Sequence, residues 1–226
     1  EGEPSIALHA RPAENTTVFE NIYLGKHRKQ YIRALAQMLT VDDLLPEWAH
    51  APIVHLGPLC QEVSLDLVDA FPHSLLGVTP QGFLRHWDQD GLVSPAEWVG
   101  AERVLEVADV VVLSLQDLGG DRTQLERYIR RAKLLVLTVG EDGAIVYQHG
   151  RSARMPAFEV VEIDPTGAGD VFAAAFLIRY HETSDALEAA RFANCVASFC
   201  VENIGASGLA TREQVEWRLR HGRLRP

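Results

Sequence analysis

Cysteine is scarce in this chain: Cys60, Cys195 and Cys200 are the only three in 226 residues. The count is odd and no Cys-x-x-Cys pair occurs, so neither a disulfide framework nor a zinc-ligand spacing is present. Such usage points to reduced, mostly buried thiols in a cytoplasmic protein. Long apolar runs are missing too. No stretch approaches the ~20 residues a membrane helix needs, which excludes a helical spanning protein and a membrane partner. Positive charge is in deficit, with 21 Lys and Arg against 31 Asp and Glu and a net charge of −10. Phosphate-backbone binders carry a basic face, so nucleic acid is not the expected partner. A nucleotide ligand stays open, because a helix N-terminus holds phosphate with backbone N–H groups alone. There is no Gly-x-x-x-x-Gly-Lys-Ser/Thr loop, no His-Glu-x-x-His and no Gly-x-Ser-x-Gly. Those absences argue against a P-loop kinase, a zinc hydrolase and a serine-hydrolase elbow. The sequence opens on Glu1 with no basic segment leading into an apolar one, so no signal peptide is expected.

What remains is ordinary globular composition, 47% hydrophobic and 23% charged, which fits one domain over residues 1–226. Residues 16–23 have the β-branched and aromatic content of a strand. Gly25 reads as a turn, and the apolar spacing from Gln30 to Leu39 predicts a helix. Short apolar runs then recur at 53–56, 75–78, 110–113 and 134–139, with helical patterns between them, at Val63–Phe71, Ala101–Ala108 and from Asp121 to Ala132. That alternation predicts a parallel sheet covered by helices on both faces. Segments 143–147 and 158–163, separated by His149 to Ser152, read as an antiparallel hairpin at the sheet edge. Helices are expected at about 168–181, 185–203 and 212–221, with Asp185/Glu188 and Thr211/Gln214 as capping boxes.

Residues 163–177 carry the chemistry. A strand is expected to end at Ile163, Asp164-Pro165 turns the chain, and Gly167-Ala168-Gly169 leads into an almost wholly apolar helix. Free N–H groups at such a helix start form an anion site. Asp170, in the first turn, can accept a proton from a hydroxyl held beside that anion. Phosphoryl transfer needs little beyond this positioning, charge stabilisation and a base. A tight turn followed by an Asp that merely complements the helix dipole is the plainer alternative.

The string Asp164-Pro165-Thr166-Gly167-Ala168-Gly169-Asp170, followed by Ala174-Ala175-Phe176, resembles the C-terminal signature of the PfkB (ribokinase-like) carbohydrate kinases. The resemblance implies an α/β ribokinase-like fold: three layers, a central mostly parallel sheet between helices, and a small, incomplete β lid at about 16–24. It implies Asp170 as the base and Gly167, Ala168 and Gly169 as the anion hole for the transferred group. Thr138-Val139-Gly140-Glu141-Asp142-Gly143 is similar to the family's nucleotide loop, which assigns Thr138, Gly140 and Gly143 to the nucleotide. Arg191 to Asn194 and Gly205-Ala206 resemble the adenine-flanking helix and loop. By that resemblance Asn194 lies near base or ribose, with Gly205 and Ala206 under the adenine. Asp164 and Thr166 match positions that hold a monovalent cation such as K⁺ in some members.

Two departures stand out. Where members carry Asn-x-x-Glu, this chain reads Ser114-Leu115-Gln116-Asp117, leaving Asp117 as an indirect, water-mediated magnesium holder. The early Gly-Gly segment of a typical member has no counterpart, so the resemblance covers about residues 16–220 and much of the sugar-facing half is expected to be missing. Gln81 to Arg85 with Asp90-Gly91 is reminiscent of the inositol-kinase-like branch. Arg28 and Arg85 are candidate substrate or phosphate contacts. The function implied is ATP- and Mg²⁺-dependent phosphorylation of a sugar or inositol-like polyol. A nucleoside acceptor, a non-catalytic nucleotide-binding module and a homodimeric assembly are left open.

Overall fold

The computed structural model describes residues 7–24 and 27–226, with the backbone alone for Tyr23, Leu24, His27, Arg28 and Ala206. Its centre is a six-stranded sheet. In chain order the strands are β3 (Ile53–Leu56), β4 (Leu75–Val78), β7 (Val110–Ser114), β8 (Leu134–Thr138), β9 (Ala144–Gln148) and β10 (Arg151–Met155), in spatial order β10-β9-β8-β7-β4-β3. The first four are mutually parallel, and β9 and β10 are antiparallel. The period-2 rule divides each central strand between two cores. Val110, Val112, Leu134 and Val136 join one core, and Val111, Leu113, Leu135 and Leu137 join the other. This is why these strands read as continuous apolar runs.

Helices α1 (Ala101–Val107) and α2 (Arg122–Arg131) cover one face. Asp121 starts α2 by accepting the N–H groups of Thr123 and Gln124. Helices α3 (Ala168–Thr183), α4 (Ala186–Val201) and α5 (Arg212–His221) cover the other. Ala173, Ala189, Ala190 and Ala193 are wholly buried, and their small side chains let α3 and α4 lie close. Thr211 and Gln214 form the expected capping box on α5, and Asp185 caps α4 through the N–H groups of Leu187 and Glu188. Among the described residues no helix is long and apolar enough to cross a membrane.

Outside the main sheet, β1 (Val18–Leu24) and β2 (His27–Ala34) form an antiparallel ribbon, and β5 (Arg85–Trp87) pairs with β6 (Val93–Pro95). The ribbon occupies the segment, about 16–24, for which a lid strand is expected, and extends to Ala34. The helix expected from Gln30 does not form; its first half is β2. Cross-strand pairing decides this: Phe19 sits opposite Ile32, Asn21 opposite Gln30, and the Gln30 amide donates to Asn21 Oδ1 at 3.0 Å. The Ile32 N–H also donates to the Gly91 carbonyl at 2.8 Å. Gly25 lies outside the described residues. The expected helix at 63–71 is only a 3-10 turn, Leu65–Asp69. The edge hairpin is tighter than expected, because a two-residue turn at His149-Gly150, both with positive φ, places the return strand at 151–155. Segment 158–163 is not a strand; Val161 is 78% and Ile163 61% exposed.

Candidate active site

The segment between β10 and α3 is pinned from below. The N–H groups of Ile163 and Asp164 both donate to the Val201 carbonyl at the end of α4, at 2.7 and 3.1 Å. Asp164 Oδ1 accepts the Thr166 N–H at 2.9 Å. Bonds from Thr166, with a smaller one from Gly205, hold its carboxyl below the usual carboxylate range. Asp164 and Thr166 thereby form one folded turn, with Gly205 of a later segment against it.

Gly167 follows as the N-cap of α3 with φ +81°, a left-handed backbone that glycine adopts at little cost. It carries no side-chain cap. The Ala168 N–H is taken by the Pro165 carbonyl at 3.2 Å, whereas those of Gly167, Gly169 and Asp170 have no acceptor among the described residues. Of the expected trio 167, 168 and 169, Gly167 and Gly169 keep an unspent amide, Ala168 does not, and Asp170 supplies a third. Nothing lies within 4 Å of where a Cβ would stand on Gly167 or Gly169. The mouth of this 16-residue helix is thus open, and its dipole favours negative charge there. The Asp170 side chain is exposed beside it, with no hydrogen-bond partner among the described residues. Its charge is felt by His55 and by Cys200.

The C-terminal ends of the parallel strands face the same cleft, the usual ligand edge of an open α/β sheet. Asp117 lies just past β7. Its Oδ2 accepts both the N–H and the hydroxyl of Ser114 at 2.8 Å, and its Oδ1 accepts the Gln81 amide at 3.1 Å. The described residues contain no group of three His, Cys, Asp or Glu able to hold a metal. Magnesium in phosphate sites is usually held by the phosphates, waters and one or two carboxylates. Asp117 Oδ1 keeps unused acceptor capacity, so the donor set fits a water-bridged ion.

Past β8, Thr138 Oγ1 leans on the Leu113 carbonyl at 3.4 Å. Gly140 and Gly143 both have positive φ, and the Gly143 N–H closes a turn onto the Gly140 carbonyl at 3.0 Å. A Cβ on Gly143 would stand 2.2 Å from the Met155 carbonyl oxygen, so that glycine is required by its neighbours.

Other expected residues lie elsewhere or face inward. Asn194 is buried in α4, and its amide donates to the carbonyls of Met155 and Pro156 at 2.9 and 3.2 Å. It anchors the chain leaving β10. Gly205, itself exposed, opens a 3-10 turn, Gly205–Gly208, that also contains Ala206. Arg85 donates to the Leu59 carbonyl at 2.8 Å and covers the Phe19 ring of β1. Arg28 pairs with Tyr23 across the β1-β2 ribbon, and its side chain lies outside the described residues. Two polar residues went unforeseen. His55, near the end of β3, and Thr79, just past β4, are bonded to each other at 3.1 Å. The only sequence signal was a histidine interrupting an apolar run.

The model of the pfkB family carbohydrate kinases matches residues 97–212. A ribokinase of Bacillus subtilis is 41% identical over 83 residues, which are 36% of this chain and 28% of that protein. A nucleoside kinase of Methanocaldococcus jannaschii is 32% identical over 103 residues, 45% of this chain and 34% of its own. The matched segments thus span about a third of these relatives. Among solved structures, a pyrophosphate-dependent kinase in the ribokinase family superposes with a TM-score of 0.72 at 24% identity, covering 90% of this chain and 75% of that one. That likeness establishes the ribokinase-like α/β fold.

Proposed function

Because the chain belongs to the pfkB family of carbohydrate kinases, we propose that it transfers the γ-phosphoryl group of ATP to a hydroxyl of a sugar or inositol-like polyol. One observation carries this reading: an exposed, unpaired carboxylate at Asp170 beside the unspent N–H groups of Gly167 and Gly169. Binding alone does not call for a base at that place; transfer to a hydroxyl does.

The acceptor oxygen approaches the γ-phosphorus in line with the bridging β–γ oxygen. As the new P–O bond forms and the bridging bond breaks, Asp170 takes the hydroxyl proton and ADP departs. The amides at the start of α3 stabilise the phosphoryl oxygens where charge builds. They are fixed in advance, because Val201 holds the preceding segment and Gly167 supplies the turn. Asp117 would hold Mg²⁺ through water, and the ion when bound supplies charge neutralisation on the phosphates. Asp164 and Thr166, folded against Gly205, would flank a monovalent cation.

The test is release of ADP by the full chain across a panel of sugars, polyols and nucleosides, with Asp170→Asn beside the wild type. Removal of a general base costs ~10²–10⁴ in rate, so turnover is expected to fall by that factor while ATP affinity holds. A variant as fast as wild type would show that Asp170 is not the base. ATP binding with no turnover on any acceptor would mark a nucleotide-binding module instead.

A further inference from the structure

A carboxylate offers about four lone pairs, and three of those on Asp117 are already engaged. Its Oδ2 takes both the N–H and the hydroxyl of Ser114, at 2.8 Å each, from within its own loop. Its Oδ1 takes the Gln81 amide at 3.1 Å, from a residue 36 positions earlier in the chain. Gln81 stands in the 3-10 turn Pro80–Leu84, which follows β4, the parallel neighbour of β7. That turn has little freedom. Pro80 opens it and is buried, and its ring fixes φ. The Gly82 N–H donates to the Pro58 carbonyl at 2.8 Å. A Cβ on Gly82 would stand 2.5 Å from the Pro58 carbonyl carbon, so the turn lies directly on the chain leaving β3. Gln81 is thus delivered to Asp117 from a fixed platform on a neighbouring strand.

We propose that Gln81 is a positioning residue for the metal: by occupying one lone pair of Asp117 Oδ1, it leaves the other as the single acceptor offered to hydrated Mg²⁺ and so sets where the ion is held. The inference rests on Asp117 being the magnesium holder. With Oδ2 saturated by Ser114, the carboxylate cannot grip an ion through both oxygens. That suits a cation that keeps most of its waters. Without the Gln81 amide, both lone pairs of Oδ1 would be open and the direction offered to the ion would no longer be unique. Hydrogen-bond partners of a metal-holding side chain orient it in this way and tune the affinity of the site. Gln81 acts through Asp117. A bond that merely tied two loops together would serve stability alone, whereas one that orients Asp117 serves metal affinity, and the two separate in measurement.

Binding of Mn²⁺, a paramagnetic stand-in for Mg²⁺, to the full chain with the non-hydrolysable analogue AMP-PNP tests this without turnover, free Mn²⁺ being read by electron paramagnetic resonance. Wild type with AMP-PNP is expected to bind Mn²⁺ more tightly than AMP-PNP alone does. Gln81→Met, which keeps the length and loses the amide, should weaken that binding about tenfold, the lower end of what loss of such a partner costs a metal site. AMP-PNP affinity measured in EDTA should stay at the wild-type value. If Gln81→Met fails to fold, Gln81→Asn, which withdraws the amide by one methylene, gives the same reading. Asp117→Asn checks the premise: if it binds Mn²⁺ as wild type does, Asp117 is not the holder and this inference falls with that reading. The same holds if wild type adds nothing to the Mn²⁺ binding of free AMP-PNP. Weakened binding in Asp117→Asn beside unchanged binding in the Gln81 variant would overturn this inference alone. Weakened binding in both without ADP release on any acceptor would refute the kinase reading and leave this inference standing.

Discussion

Gly77 of β4 lies directly beneath Leu177 of α3: a methyl group at residue 77 would stand 2.4 Å from Leu177 Cδ1. Leu177 is seven residues along the helix from Asp170, two turns on the same rod. The missing side chain in the sheet therefore sets how deep α3 sits, and with it where the carboxylate stands over the strand ends.

Gly77→Ala should lift α3 or force Leu177 from its rotamer. Overpacking of this kind costs about 1–3 kcal/mol. A lowered melting temperature is expected, with a fall in kcat larger than the fraction unfolded explains. Unchanged kcat in the folded protein would show that the depth of α3 does not matter to the site.

Two glycines with positive φ should part company. Gly143→Ala meets the Met155 carbonyl oxygen at 2.2 Å as well as an unfavourable backbone, so it should destabilise strongly or fail to fold. Gly167→Ala meets nothing within 4 Å and carries only the left-handed penalty, about 1–2 kcal/mol. It should fold, with turnover reduced by the methyl group at the mouth of α3. Thermal melts of both and kcat of the second decide the matter.

Glu182 joins α3 to α5. It accepts from Arg212 at 2.6 and 2.8 Å and from Arg179 at 2.9 Å, and these bonds pull its pKa down to about 2, well below the usual glutamate range. A depressed carboxyl stabilises the fold above its unfolded pKa and loses that contribution as pH falls through its folded pKa. Melting temperatures of wild type should exceed those of Glu182→Gln above about pH 5, and the gap should close between pH 4.5 and 2. A gap independent of pH would assign the effect to packing.

All three thiols are buried, and burial pushes Cys60 and Cys195 up to about 11 and raises Cys200, which also feels Asp164 and Asp170. Only the thiolate reacts. Iodoacetamide at pH 7.5 should leave the native protein unlabelled over the time in which the denatured chain takes up three equivalents. Prompt native labelling of one site would mean that its helix or loop opens readily.

The apolar runs at 75–78, 110–113 and 134–139 announced the sheet on their own, because parallel strands buried on both faces leave few polar positions to confuse the pattern, and the edge run at 53–56 showed through despite His55. The start of α3 was equally plain, since aspartate, proline and glycine in that order, at 164, 165 and 167, leave few conformations. The ribbon at 27–34 was not, because Ile32, Leu35, Ala36 and Leu39 satisfy a helical period while the partner strand that overrules it is distant in the chain. Asn194 carries no mark of direction, and only packing against the end of β10 turned its amide inward. His55 and Thr79 are 24 residues apart and meet because β3 and β4 are parallel neighbours. Local chemistry along the chain thus determined the sheet, the helix mouth and the carboxylate at it. Which amides remain free, how deep the helix lies and which polar groups face that carboxylate depend on contacts between distant segments, and the tertiary structure alone decided them.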